Sequence, residues 1–198
     1  MKIHPNRLYL VLCLGLSTAT IATVFTGCAG DRYNRSTGEY IDDNSLRLRA
    51  STALGDNPDY KFEGVNLTVF KGVVQLNGFV DLAAQRTRAG EIVTQVSGVR
   101  SVENNLAVKK PIAAGTGEST DDKSLTTSVK SVLGNNPDYK FEEVNVAAYE
   151  GTVQLSGFVN TADQKAKSGE LARAIPEVKG VLNNITVKEG MDGKIVGP

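Results

Sequence analysis

The sequence repeats itself once. Shifted by 79 positions it aligns with itself without a gap, and 32 of the 68 positions from Asp42 to Lys109 are then identical. Asn57-Pro58-Asp59-Tyr60-Lys61-Phe62-Glu63 returns as Asn136-Pro137-Asp138-Tyr139-Lys140-Phe141-Glu142. Val74-Gln75-Leu76 returns as Val153-Gln154-Leu155, and Gly78-Phe79-Val80 as Gly157-Phe158-Val159. Identity on this scale means duplication of one unit. Solenoid repeats run to roughly 20–45 residues, so a unit of this length must be a small domain with its own core. The same offset divides the chain. Residues 1–27 lead, 28–41 form a tether rich in Gly, Ser, Asn and Arg, and 42–110 are the first repeat. Residues 111–120 are a linker of small and breaker residues, 121–189 the second repeat and 190–198 a tail.

Both repeats carry the same periodicities. Leu46, Ala50, Ala53 and Leu54 recur at helical spacing, as do Leu125, Val129, Val132 and Leu133. Asp43 and Asp122 stand where N-caps would, and Gly55 and Gly134 where a helix would stop. The Asn-Pro-Asp segment suits a fixed turn; the carboxylates around it, Asp56, Asp59 and Glu63, lack the ordered spacing of a calcium loop. Val65, Leu67 and Val69 then alternate with Asn66, Thr68 and Phe70. Lys71-Gly72 makes a tight connection, and Val74, Leu76, Gly78 and Val80 alternate with Gln75, Asn77 and Phe79. This is the pattern of a β-hairpin. A second helix is predicted from about Leu82 to Val96, with Ala89, Ile92, Val93 and Val96 inward. Gly90 and Gly169 fall inside it, where Gly costs about 1 kcal/mol relative to Ala. Close approach of helix to sheet would offset that cost. A last strand carries Val102, Leu106 and Val108, with Asn104 and Asn183 on its inward parity, where they must be hydrogen-bonded. The order is α-β-β-α-β twice. A strand-helix-strand step favours a parallel, right-handed crossover. The expectation is an α+β protein of two tandem units, each a three-stranded mixed sheet with two helices on one face.

Lys2 and Arg7 precede an apolar run from Leu8, and the small residues Thr26-Gly27-Cys28-Ala29 follow it. A basic start, an apolar stretch and a small-residue site make a secretory signal. Phe25-Thr26-Gly27-Cys28 resembles a bacterial lipobox, with Phe25 in place of the usual Leu. The resemblance implies cleavage before Cys28 and a diacylglyceryl group on its sulfur. Ala29 in place of Asp fits sorting to the outer membrane. A plain secreted protein and a single uncleaved anchor are the competing readings. Leu8 to Phe25 is at the short end for a membrane span, and Ser17, Thr18, Thr20 and Thr23 weaken it further.

Cleavage would change the chemistry available. The whole chain has 22 Lys+Arg and 22 Asp+Glu; loss of Lys2 and Arg7 leaves 20 − 22 = −2. Such a balance gives no support to a nucleic-acid binder. His4 and Cys13 would leave too, so the mature chain would have no His and one Cys. Neither a His-Cys zinc site nor a His-dependent catalytic triad could then be assembled.

The repeats resemble the BON domain of bacterial envelope proteins. The matching residues are Gly72-Val73-Val74-Gln75-Leu76-Asn77-Gly78-Phe79-Val80 and Gly98-Val99-Arg100-Ser101-Val102-Glu103-Asn104-Asn105-Leu106-Ala107-Val108. The second repeat supplies Gly151 to Val159 and Val178 to Val187, with Glu177 where the family has Gly. Two such domains behind a lipobox resemble the dual-BON group of periplasmic proteins and outer-membrane lipoproteins. The resemblance implies envelope maintenance or osmotic-stress tolerance, contact with membrane phospholipid, no enzymatic activity and no cofactor. It places the chain on the periplasmic face of the outer membrane, held at Cys28, with a soluble periplasmic protein as the alternative.

Two sets of residues are candidates for contact. Phe70 and Phe79, matched by Tyr149 and Phe158, stand on the outward parity of the hairpins. They serve either to pack one repeat on the other or to bind an envelope protein, as a periplasmic adaptor or chaperone-like stress protein would. Arg47-Leu48-Arg49 is where the first helices differ most, since the second repeat has Thr126-Thr127-Ser128. Leu48 lies about 200° from Leu46 on the helix and should be exposed between two cations. Arg stems over an apolar residue suit anionic headgroups, each basic residue contributing about 1 kcal/mol near such a surface. Arg86 and Arg88 add charge on the second helix; Lys123 and Lys130 give the second repeat a thinner claim. A solvated helix face is the competing reading. The 14-residue tether reaches at most roughly 50 Å, enough to set either domain back on the same membrane.

Overall fold

The computed structural model describes residues 33–109 and 120–188. Cys28, the leader, the tether up to residue 32, residues 110–119 and the tail lie outside them. Helix α1 (Thr37–Gly55) starts at a capping box. Ser36 Oγ accepts from the Glu39 amide at 3.2 Å, and Glu39 Oε2 accepts from the Ser36 amide at 2.8 Å. The helix therefore takes in residues 37–41, which the sequence assigns to the tether.

Asp43 is not its N-cap. It sits buried within α1 and reaches the β-hairpin, where its carboxylate accepts the amides of Lys71 at 2.8 Å and Gly72 at 2.9 Å. Those two residues have φ of 48° and 79°, the left-handed pair of a type I′ turn. A lysine is strained there. Hydrogen bonds to a charged group, worth about 1.5–3 kcal/mol each, offset the strain. Asp122, in helix α3 (Thr120–Gly134), does the same for the amides of Glu150 at 2.9 Å and Gly151 at 3.1 Å. Both aspartates are hairpin clamps. Gly55 and Gly134 close their helices as ordinary helical residues, without the positive φ of a glycine stop.

The first repeat continues with β1 (Val65–Phe70), β2 (Val73–Val80), α2 (Ala83–Thr94), β3 (Ser101–Asn104) and β4 (Ala107–Val108). The second adds β5 (Val144–Tyr149), β6 (Thr152–Val159), α4 (Ala162–Arg173) and β7 (Gly180–Val187). β2 lies between β1, antiparallel, and β3 with β4, both parallel; β6 lies between antiparallel β5 and parallel β7. The α-β-β-α-β order and the mixed sheets are those expected. The turn at Glu177 closes as its counterpart does, Val178 N donating to Ile175 O at 3.0 Å against Val99 N to Val96 O at 3.1 Å.

One strand departs from expectation. The last strand of the first repeat is broken at Asn105-Leu106, whereas β7 is continuous. The cause comes from the other repeat. The Gln154 amide accepts from Gly78 N and donates to Asn105 O at 2.6 Å, standing between β2 and the third strand.

The helices cover one face of each sheet. Leu46, Ala50 and Leu54 of α1 and Ala89 and Val93 of α2 pack on Val69, Val74, Leu76, Val80 and Leu106. Leu125, Val129, Leu133 and Ala172 pack likewise on Val153, Leu155, Val159 and Ile185. Burying one Leu contributes about 1.5–3 kcal/mol. Gly90 and Gly169 mark the closest approach. A Cβ there would lie 2.8 Å from Asn104 Nδ2 and 3.0 Å from Asn183 Nδ2. Those amides instead donate to Arg86 O and Lys165 O, both at 2.7 Å, tying each crossover helix to its strand.

Candidate functional site

The second face of each sheet lies against the other. The molecule has four layers: helices, sheet, sheet, helices. Phe70, Val73 and Phe158 form an apolar cluster between the sheets. Phe70 stacks on Phe158 with centroids 5.3 Å apart, and Phe79 on Tyr149 at 5.5 Å. At offset 79, Phe70 corresponds to Tyr149 and Phe79 to Phe158, so the two contacts are one contact repeated about a pseudo-twofold axis. An adaptor using open sheet faces therefore does not fit: both faces are occupied, because each repeat alone leaves aromatic rings with nothing to bury them.

Buried glutamines set the register of this interface. Gln75 Oε1 accepts from Gly157 N at 2.8 Å, and Gln154 Oε1 accepts from Gly78 N. The pairing is reciprocal, as a self-complementary interface requires. Asymmetry is added on one side. Gln75 Nε2 donates to Glu103 Oε2 at 2.9 Å and Thr186 Oγ1 at 2.7 Å, and Thr186 donates to Glu103 at 2.6 Å. The corresponding positions hold Leu182 and Ala107, which cannot form that network.

The segment leading into α1 is clamped over the junction. Arg35 donates to Asp43 Oδ2 at 3.3 Å, Val69 O at 3.1 Å and Glu143 Oε1 at 2.8 Å. Its guanidinium lies 5.1 Å from the Tyr40 ring centroid and 5.5 Å from that of Phe70. Lys188, only 6% exposed, pairs with Glu143 at 2.7 Å, donates to Tyr33 O at 2.9 Å and stands over Phe70 at 4.6 Å. Sequence reading missed Arg35, Glu143 and Lys188, because Glu143 and Lys188 lie 108 and 153 positions from Arg35 along the chain.

The basic candidates do not form one patch. Arg47 and Leu48 are exposed, Leu48 at 67%. Arg49 reaches Ser97 O at 3.2 Å on the other flank of α1, so the two arginines bracket the leucine. Ile41, 58% exposed, lies seven residues before Leu48 and shares its stripe, with Tyr40 beside it. The spacing 41–48 was the readable signal. Arg86 is exposed, and Arg88 pairs with Glu91 at 3.1 Å. Lys123 and Lys130 are exposed on α3. The Ser36 amide holds the Glu39 carboxyl below its ordinary range.

Two α-β-β-α-β units joined face to face through their sheets define the architecture. The BON domain model matches residues 42–110 and 121–189, and the chain belongs to the BON-domain family. It is 27% identical to osmotically-inducible protein Y of Escherichia coli (strain K12) over 95% of this chain and 98% of that one. It is 33% identical to the outer membrane lipoprotein DolP of Haemophilus influenzae over 75% of this chain and 76% of the relative. A 21 kDa hemolysin of Actinobacillus pleuropneumoniae is 30% identical over 76% and 77%. No helix among the described residues is long and apolar enough to cross a membrane.

Proposed function

We propose that the chain is a non-enzymatic envelope lipoprotein, held by lipid at Cys28, that contacts phospholipid and supports envelope integrity or osmotic-stress tolerance. The names of its relatives, one osmotically inducible and one an outer membrane lipoprotein, support the setting. The outward stripe of α1 carries the reading. Ile41 and Leu48 project from it, Arg47 and Arg49 flank it, and the helix begins nine residues after Cys28. One lipid chain alone holds a membrane only marginally, so a second, electrostatically biased contact is what stable attachment calls for. Arg86 on α2 and Lys123 and Lys130 on α3 would add weaker attraction.

Flotation of the mature chain carrying Cys28→Ser tests the contact. Vesicles containing phosphatidylglycerol should carry the protein upward, less so as salt rises, and neutral phosphatidylcholine vesicles should carry less. Leu48→Asp should cut flotation several-fold without changing the circular dichroism spectrum. Equal absence of binding to both vesicles would remove phospholipid from the proposal.

A further inference from the structure

The chain is held at four points as it enters α1. Lys188 donates to Tyr33 O at 2.9 Å. Arg35 donates to Asp43, to Val69 O and to Glu143. Ser36 and Glu39 close the capping box. Lys188 and Glu143 belong to the second repeat, Asp43 and Val69 to the first, so the entering segment is fixed to the body as a whole. The Arg35 and Lys188 side chains are sheltered, 18% and 8% exposed. Salt screens such pairs much less than it screens exposed charges. A lipid at Cys28 would therefore act on the body through the five residues from 29 to 33, and not through the 14 that precede the first repeat. Five residues span at most about 18 Å, against roughly 50 Å for 14.

The short leash leaves the body beside the outward stripe of α1. The Arg35 guanidinium lies 5.1 Å from the ring centroid of Tyr40, the residue before exposed Ile41. Arg47 lines the same groove as Arg35. The basic face of the second repeat lies elsewhere. Lys123 of α3 lines a groove with Gly64 and Phe79, at the start of β1, whereas Arg35 bonds Val69 near its end. The six residues of β1 separate the two places by about 20 Å.

We propose that Arg35 and Lys188 are positioning residues for the membrane contact. By fixing the entering chain they shorten the leash, and so deliver the α1 stripe, ahead of the α3 face, to the bilayer that holds the lipid. This rests on the lipid at Cys28 and on the phospholipid contact of α1. The effective concentration of a tethered contact falls roughly as the −3/2 power of leash length once the leash spans the gap. A leash of 14 residues in place of five weakens the contact about fivefold on that scaling. Release at Tyr33 and Arg35 frees the chain as far as Ser36, eight residues from Cys28, and weakens it about twofold.

The test couples Cys28 of the ¹⁵N-labelled mature chain to a maleimide-headgroup lipid in nanodiscs. The discs contain phosphatidylglycerol and a gadolinium-chelate lipid, and paramagnetic relaxation of amides 40–48 is compared with that of amides 123–130 as salt rises. The α1 amides should relax several-fold faster. Nine Gly and Ser residues inserted after Gly30 should lower the ratio of bound to unbound contact about fivefold, with the urea midpoint unchanged. Arg35→Gln with Lys188→Gln should lower it about twofold. Equal relaxation of α1 and α3, or a contact indifferent to the insertion, overturns the proposal. Flotation of the untethered Cys28→Ser chain separates the two failures. Where that chain floats and the insertion changes nothing, the phospholipid contact stands and the positioning role falls. Where it does not float and the tethered α1 amides relax no faster than those of α3, the contact itself is absent.

Discussion

Asn104 and Gly90 make one device from two residues. The glycine lets α2 approach, and the asparagine uses the gap to bond the Arg86 carbonyl. Gly90→Ala should destabilise the protein by about 1–2 kcal/mol, although alanine favours a helix by about 1 kcal/mol, because the added Cβ displaces the half-buried Asn104 amide from the Arg86 carbonyl. In an Asn104→Ala background the same change should become neutral or stabilising. Urea unfolding of the four variants measures the coupling, and strict additivity would refute it. Both partners were legible in the sequence: the inward parity of Asn104 demanded a bond, and Gly90 inside a helix demanded a reason. That each answers the other was not, since nothing local links positions 14 residues apart on different elements.

At the scale of elements, the sequence yields the strands and the order of the helices and misplaces the start of α1. Asp43 has the residue type of an N-cap and precedes an apolar stripe, so local chemistry favours it there. The Ser36-x-x-Glu39 box was present upstream, in a stretch whose small polar composition reads as tether. The buried carboxylate went instead to a strained hairpin turn, a demand invisible until the hairpin is folded. The capping box has a pH signature. Glu39 is held below its ordinary pKa first by the Ser36 amide, with smaller help from Lys71 and Arg100. A depressed folded pKa contributes stability above the unfolded value, and that contribution is lost as pH falls through the folded pKa. Amide exchange in the first turn of α1, corrected for intrinsic rate, should therefore quicken as pH drops below the carboxylate range. Glu39→Gln should flatten the profile; an unchanged profile would show the box to be inert.

For the whole molecule the deciding feature is the pseudo-twofold interface. A unit of this size buries only roughly 60% of its unfolded surface and is marginal alone, so each repeat completes the other. Strand alternation put Phe70, Phe79, Tyr149 and Phe158 on the face away from the helices, as found. Periodicity tells which face a residue occupies and not what covers it, so the sequence left their partner open. Truncating Gln75 to alanine leaves the buried Gly157 N–H without its acceptor between the sheets, a loss of about 2–3 kcal/mol. The single unfolding transition of the pair should then separate into two, seen by following amides of each repeat in urea. One transition with an unchanged midpoint would mean that the glutamines do not couple the repeats.

The clamp at Arg35 and Lys188 has a mechanical consequence. A chain tethered at its front end feels tension there first, and a free helix terminus would peel open one turn at a time. Here the strand of chain entering α1 is gripped from both repeats, by Asp43 and Val69 on one side and by Glu143 and Lys188 on the other. A pull from the front is shared across the seam between the repeats, so several bonds must yield in shear together before the first helix can unravel.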